Sequence, residues 1–194
     1  SDSYLAYLNR AALNKISNSD IYTDVMASFV KTFFETAVPS SFKYSFYVSG
    51  GALAVENALK AAFDWKVRKN IKNNKIKKET GHKILHFKQA FHGRTGYTMS
   101  LTNTDPNKVK YFPKFDWPRV SNPFINFPLN EDNIEDVIRR EEQSVEEIKD
   151  AFTNNKNEIA ALIIEPIQGE GGDKHFRPEF LQKLRELEIG RAHV

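Results

Sequence analysis

The chain has 194 residues, 40% of them hydrophobic and 12% aromatic, which is enough apolar material for a sizeable core and too much for a disordered segment. The 28 Lys and Arg against 25 Asp and Glu leave a formal charge of +3, too small a surplus to imply a nucleic-acid or membrane partner. Without cysteine there is no disulfide framework, thiolate nucleophile or Cys-ligated zinc, a composition compatible with a reducing cytoplasm, and no metal site is expected.

No run approaches the roughly 18–20 apolar residues of a membrane span. Ser1-Asp2-Ser3-Tyr4 lacks the basic-then-apolar pattern of a secretory leader. In chain order, Leu5, Leu8 and Ala12 suggest a short helix over Tyr4 to Lys15, broken by Asn18-Ser19-Asp20. Thr23 is a suitable N-cap for a second helix, with Met26, Phe29, Val30, Phe33 and Phe34 along one face. Pro39-Ser40-Ser41 ends it, and Tyr44 to Val48 reads as a short buried strand. Ser49-Gly50-Gly51-Ala52 then opens a long helix from Leu53 to about Asn70, whose expected apolar stripe is Ala54, Ala58, Ala62 and Trp65. The basic stretch from Lys66 to Lys78 could bind phosphate, but a helix end running into a solvated loop explains it as well and is the preferred reading.

Lys83 to Phe87 forms a second strand candidate, with Phe91-His92-Gly93-Arg94 just beyond it. Asp105 to Leu129 contains Pro106, Pro113, Pro118, Pro123 and Pro128 and reads as a long irregular connection of the functional or interface-lining kind. Asn130 to Asn155 suits an amphipathic helix with Ile134, Val137, Val145, Ile148 and Phe152 inward and its acidic residues in solvent. Ile159 to Ile164 is a continuous apolar run, the pattern of a parallel strand buried on both faces. Glu165-Pro166 ends it, and Pro178 opens a helix to about Leu187. This alternation indicates an α/β layer fold, in which ligands gather beyond the carboxyl ends of the strands.

Three strand-end turns carry the chemistry. Ser49 to Ala52 could cradle a phosphate on free backbone N–H groups, or be no more than a tight turn; it has neither a P-loop Lys-Ser/Thr nor dinucleotide spacing. Phe91, His92 and Arg94 put an aromatic face, an imidazole and a guanidinium suited to carboxylates at one strand end. Glu165 closes an apolar strand, where an unpaired carboxylate would be costly. Glu170, among glycines, is free to face a ligand or a cation.

Taken together, the chain resembles the class III, fold-type I aminotransferases that use pyridoxal phosphate, and within them the L-lysine 6-aminotransferase branch. The carriers are Asn14-Lys15, Asn18 to Thr23, Gly50-Gly51-Ala52-Leu53-Ala54-Val55-Glu56-Asn57-Ala58-Leu59-Lys60, Ala62 to Lys66, and Ala90-Phe91-His92-Gly93-Arg94-Thr95-Gly96-Tyr97-Thr98. They continue with Leu101 to Lys108, Phe112 to Arg119, Glu165-Pro166-Ile167-Gln168-Gly169-Glu170-Gly171-Gly172-Asp173 and His175 to Phe180. The resemblance reaches about Leu187. It implies the large domain of the fold in part, a mostly parallel sheet flanked by helices over residues 44–187, preceded by a helical segment over residues 1–43.

By this resemblance Gly51 and Ala52 would hold the cofactor phosphate through backbone N–H groups. Phe91 would stack on the pyridine ring, with His92 and Glu165 also on the cofactor side. Arg94 would take the α-carboxylate of the substrate, and Glu170 would be the carboxylate that switches between the two half-reactions. The implied reaction moves the ε-amino group of L-lysine to 2-oxoglutarate, giving 2-aminoadipate 6-semialdehyde and glutamate, in a cytoplasmic homodimer.

The family's Schiff-base lysine and the aspartate facing the pyridine nitrogen belong to later strands, and no lysine of this chain sits in a matching motif. The tail from Glu188 to Val194 leaves the family pattern and reads as translated adapter sequence, and the first residue is not Met. The expectation is therefore a truncated, inactive piece of an aminotransferase. An ornithine, acetylornithine or 4-aminobutyrate aminotransferase is the alternative within the class, and a noncatalytic α/β phosphate-binding module the alternative outside it. An NAD-binding domain is a poor third.

Overall fold

The structure is a computed structural model that describes residues 1–13, 22–73 and 76–192. The expected break at Asn18-Ser19-Asp20 lies outside the described residues, as do Asn74-Lys75 of the basic stretch and His193-Val194 of the tail. The chain forms two compact units, Ser1–Ser49 and Gly50–Val194.

In the first unit, α1 spans Asp2–Leu13 and α2 spans Asp24–Thr36. Thr23 caps α2 as its sequence suggests: its backbone is extended and its Oγ1 accepts from the Met26 N–H at 3.1 Å. An ion pair joins Arg10 to Asp24. Phe29 and Phe33 stack, and the Tyr47 ring meets both edge-on at 5.7 and 6.4 Å. The expected strand from Tyr44 to Val48 is not formed. A strand needs a ladder partner, none of the described strands supplies one, and Tyr44 and Phe46 stay exposed.

The second unit has three layers. Its long helix α3 spans Gly51–Asn73, starting at the glycine turn itself rather than at Leu53. Strand β1 spans Lys83–Phe87 and is followed by the short helix α4, Thr98–Leu101. The proline-rich connection is less irregular than its composition suggests: it contains a 3-10 turn over Pro106–Lys108 and strand β2, Arg119–Val120. Helix α5 covers Ile134–Asn154 and strand β3 covers Ile159–Ile163. The hairpin strands β4, Ile167–Gln168, and β5, Lys174–His175, lead into α6, Pro178–Ala192, which continues past the expected end at Leu187.

The sheet is parallel, in the order β2-β1-β3. Central β1 alternates its side chains between the two faces. Leu85 and Phe87 enter a core with Val145 and Ile148 of α5 and Phe180 and Leu184 of α6. Ile84 enters the opposite core with Leu59 and Phe63 of α3, Leu101 and Trp117. This places the buried stripe of α3 on Leu59, Phe63 and Asn70, not on Ala54, Ala58, Ala62 and Trp65; Trp65 is 52% exposed. Leu59 and Phe63 hide far more apolar area than alanines can, so they choose the face.

Strand β3 is less buried than β1, since it borders the described sheet on one side only. The acidic face of α5 is also not wholly solvated. Glu141 is buried on Arg177 at 2.9 Å, and Glu147 accepts from the N–H and hydroxyl of Ser121. No described helix is long and apolar enough to cross a membrane.

Candidate functional site

The carboxyl ends of β1 and β3 and the first turn of α3 border one cavity of about 730 Å³, lined by Gly51, Ala52, Val55, Phe91, His92, Gly93, Arg94, Thr95 and Glu165. Six of the residues singled out from sequence therefore meet on one space: Gly51, Ala52, Phe91, His92, Arg94 and Glu165. The seventh, Glu170, sits on the β4–β5 turn and bonds Lys108 at 2.8 Å, and the Lys108 ammonium lies 5.6 Å from the centre of the Phe91 ring. Glu170 is thus linked through Lys108 to the Phe91 side of the cavity and does not itself line it.

Each turn has a local cause. Gly50 takes φ of +93°, a conformation that suits glycine, and turns the chain into α3. The first N–H groups of this helix of 23 residues have no acceptor within it and sit at the positive end of its dipole. Where a Cβ of Gly51 would stand there is nothing within 4 Å, so an anion can approach the backbone. Gly93, at φ of +111°, packs against this turn: a Cβ there would come within 2.5 Å of the Cβ of Ala52.

The turn after β1 is held by Glu165, and by Thr102 and Asn103, two residues to which the sequence assigns no role in the site. Thr102 is buried; its hydroxyl accepts from the His92 N–H at 3.0 Å and donates to the Gly93 carbonyl at 2.6 Å. Asn103 donates to the carbonyls of Phe87 and Leu101 at 3.2 and 3.0 Å. Glu165 Oε1 accepts from the Phe91 N–H at 2.8 Å and so ties the end of β3 to the aromatic turn. A polar run directly after α4, Thr102-Asn103-Thr104-Asp105, was the available signal for Thr102 and Asn103. Nothing local in sequence pairs Lys108 with a residue as distant as Glu170.

The electrostatics are divided. Burial raises the Glu165 carboxyl above the ordinary range, and nearby Glu170 adds to this, against the opposing bond from Phe91. The Lys108 hydrogen bond and charge, and then Arg94, hold Glu170 below it. His92 is 8% exposed, its Nε2 has no hydrogen-bond partner, and burial pushes it down to about 4. A neutral imidazole with one unused nitrogen therefore lines the cavity.

Pyridoxal phosphate, the cofactor implied by the resemblance, fits these residues. It needs an anion seat, an aromatic face and nearby polar groups, and the cavity offers the open α3 N-terminus, the Phe91 ring and the Glu165 carboxyl. A second cavity of about 630 Å³ shares Arg94 and Thr95 and adds Glu56, Lys60, Phe112 and Phe115. Arg94 thus stands between the two spaces.

A family model described as Aminotransferase class-III matches residues 9–190. The L-lysine-epsilon aminotransferase of Mycobacterium tuberculosis is 50% identical over 182 residues, covering 94% of this chain and 40% of that protein. That of Amycolatopsis lactamdurans is 47% identical over 184 residues, covering 95% and 40%. A solved structure of lysine aminotransferase from M. tuberculosis superposes with a TM-score of 0.89 at 49% identity, over 96% of this chain and 42% of that one. The chain spans about 40% of the length of the curated relatives it matches. It belongs to the class-III aminotransferases.

Proposed function

We propose that this chain provides the cofactor-phosphate and donor-carboxylate ends of the active site of an L-lysine 6-transaminase. In the whole protein the ε-amino group of L-lysine would pass to 2-oxoglutarate, giving 2-aminoadipate 6-semialdehyde and glutamate. Class-III aminotransferases depend on pyridoxal phosphate. When bound, the cofactor supplies an electron sink for the carbon that loses its proton. The observation that carries the reading is the meeting of the Gly51-Ala52 turn, the Phe91 ring and the Arg94 guanidinium on one cavity.

The division of labour follows from residue chemistry. Gly51 and Ala52 offer backbone N–H groups to the phosphate. Phe91 offers a flat apolar face to the ring, which fixes its plane. His92, neutral near pH 7, borders the cavity without adding charge. Glu165 holds the Phe91 turn through its bond from the Phe91 N–H and would lie on the cofactor side of the cavity. Arg94 would hold a substrate carboxylate in a two-pronged bond. Anchoring lysine by that end directs the distal amine, rather than the α-amine, to the reacting centre, an effect of orientation more than of affinity. The choice of lysine over ornithine or 4-aminobutyrate draws on the half-identical lysine-epsilon aminotransferases. A cytoplasmic homodimer belongs to the same reading and rests on the family alone.

A donor panel on the whole protein tests this, with L-lysine, L-ornithine, N-acetylornithine and 4-aminobutyrate each paired with 2-oxoglutarate. Lysine is expected to give the highest kcat/KM, and Arg94→Ala to raise the KM for lysine on the order of 10²-fold, as loss of a charge-assisted pair does. Preference for 4-aminobutyrate, which has no α-ammonium group, or an unchanged KM in Arg94→Ala, would refute the assignment.

A further inference from the structure

Arg94 is exposed, and among the described residues no ion pair or side-chain hydrogen bond fixes its guanidinium, so its aim depends on how its backbone is held. That backbone is pinned on both sides to one face of α3. Before it, Gly93 lies so near the helix that a Cβ there would come within 2.5 Å of the Ala52 Cβ. After it, the Thr95 hydroxyl donates to Glu56 Oε2. Ala52 and Glu56 are four residues apart and share a helix face. Glu56, Arg94 and Thr95 also border the same cavity of about 630 Å³. We propose that Glu56 is a positioning residue, whose carboxylate binds the Thr95 hydroxyl and so sets the Arg94 guanidinium at the boundary between the two cavities.

The hydrogen bonds around Thr95 run in one direction. Its N–H donates to Thr98 Oγ1 at 2.8 Å, and its hydroxyl oxygen lies 2.9 Å from that same Oγ1. An ionised carboxylate can only accept, so the Thr95 hydroxyl proton goes to Glu56 and the Thr98 hydroxyl donates to Thr95. Thr98 is fully buried and opens α4, whose last residue, Leu101, packs with Leu59 and Phe63 of α3. The chain from Thr98 through Thr95 to Glu56 therefore joins two packed helices across the residue that follows Arg94. Glutamine at position 56 would keep an acceptor for the Thr95 hydroxyl. Methionine would fill similar space without one, and this difference isolates the hydrogen bond from the charge.

This inference rests on the reading of Arg94 given above, and the test separates the two. Calorimetry on the whole protein with its cofactor bound would measure binding of hexanoate, a carboxylate with no amine to react. The KM and kcat for lysine and the affinity for pyridoxal phosphate would be measured beside it. Relative to Glu56→Gln, Glu56→Met should weaken hexanoate binding and raise the KM for lysine about five- to tenfold, with kcat and cofactor affinity changed less than about twofold. Thr95→Val should show the same split relative to Thr95→Ser. Added to Glu56→Met, Thr95→Val should cost little more, since the bond is already gone. If Arg94→Ala abolishes hexanoate binding while Glu56→Gln and Glu56→Met bind it equally, Arg94 stands and the role of Glu56 is wrong. If the losses of Glu56→Met and Thr95→Val add in full, the two do not act through one bond and the proposal is again wrong. Parallel falls in kcat, cofactor affinity and hexanoate binding would make Glu56 a general support of the fold and overturn its positioning role. If Arg94→Ala leaves hexanoate binding intact, the reading of Arg94 fails, and this inference with it.

Discussion

Gly93 is a position where one methyl group would reach the site through the backbone. Its φ of +111° is strained for any residue with a Cβ, and that Cβ would lie 2.5 Å from the Ala52 Cβ and 2.9 Å from the Ala52 Cα. Neither atom is the end of a flexible side chain, so the first turn of α3 would have to move. Gly93→Ala is expected to cost about 3 kcal/mol in urea unfolding and to weaken pyridoxal phosphate binding at least about tenfold by shifting the N–H groups of Gly51 and Ala52. Gly169→Ala is the matched control. Its Cβ would meet nothing within 4 Å, and a change within about 0.5 kcal/mol is expected. Equal losses in the two variants would mean that glycine content, not this close approach, governs the turn. The sequence makes the turn visible, because aromatic, imidazole and guanidinium groups follow a strand. It does not show why the third residue must be glycine, since Ala52 belongs to another element.

Elements were legible where periodicity and capping agree. Thr23, the apolar strand from Lys83 to Phe87 and the inward residues of α5 all follow local rules. The misreadings share one physical origin, which is partners distant in sequence. Tyr44 to Val48 has strand composition but no ladder, while Arg119–Val120 is a strand only because β1 lies beside it. Glu141 looks like one more solvated acid on α5, yet Arg177, just before α6, reaches it at 2.9 Å, with side-chain exposures of 17% and 10%. Burial still raises the Glu141 carboxyl, so the guanidinium offsets only part of the desolvation. Arg177→Met should therefore destabilise the α5–α6 contact by about 3 kcal/mol, because it strands a buried charge. Arg177→Met/Glu141→Leu should recover most of that loss, since Phe180 and Val145 nearby are apolar. A double variant as unstable as the single one would show that the ion pair itself, not the stranded carboxylate, carries the stability.

Two histidines in the core should make the molecule sensitive to mild acid, above the pH range where its surface carboxylates titrate. His86 lies on the α3 side of the sheet, fully buried, with neither ring nitrogen in a hydrogen bond; His92 borders the cavity at 8% exposure. Burial, helped by the charges of Arg119 and His92, pushes His86 down to about 3, against a weak opposite pull from the Leu101 and Trp117 carbonyls. Burial alone brings His92 to about 4. Both rings are neutral in the folded chain, whereas in the unfolded chain they take up a proton below about pH 6.5. The unfolded state then binds more protons, so stability is intact above that value and declines as pH falls toward 3 to 4. At about pH 5 each ring would cost on the order of 2 kcal/mol relative to neutral pH. Urea unfolding at about pH 5 and pH 7.5 measures the difference. His86→Leu, which keeps a side chain in the buried position and removes one titrating group, should remove roughly half of it, even if stability at pH 7.5 changes as well. An equal acid loss in that variant would move the effect to the surface carboxylates and leave His86 a passive member of the core.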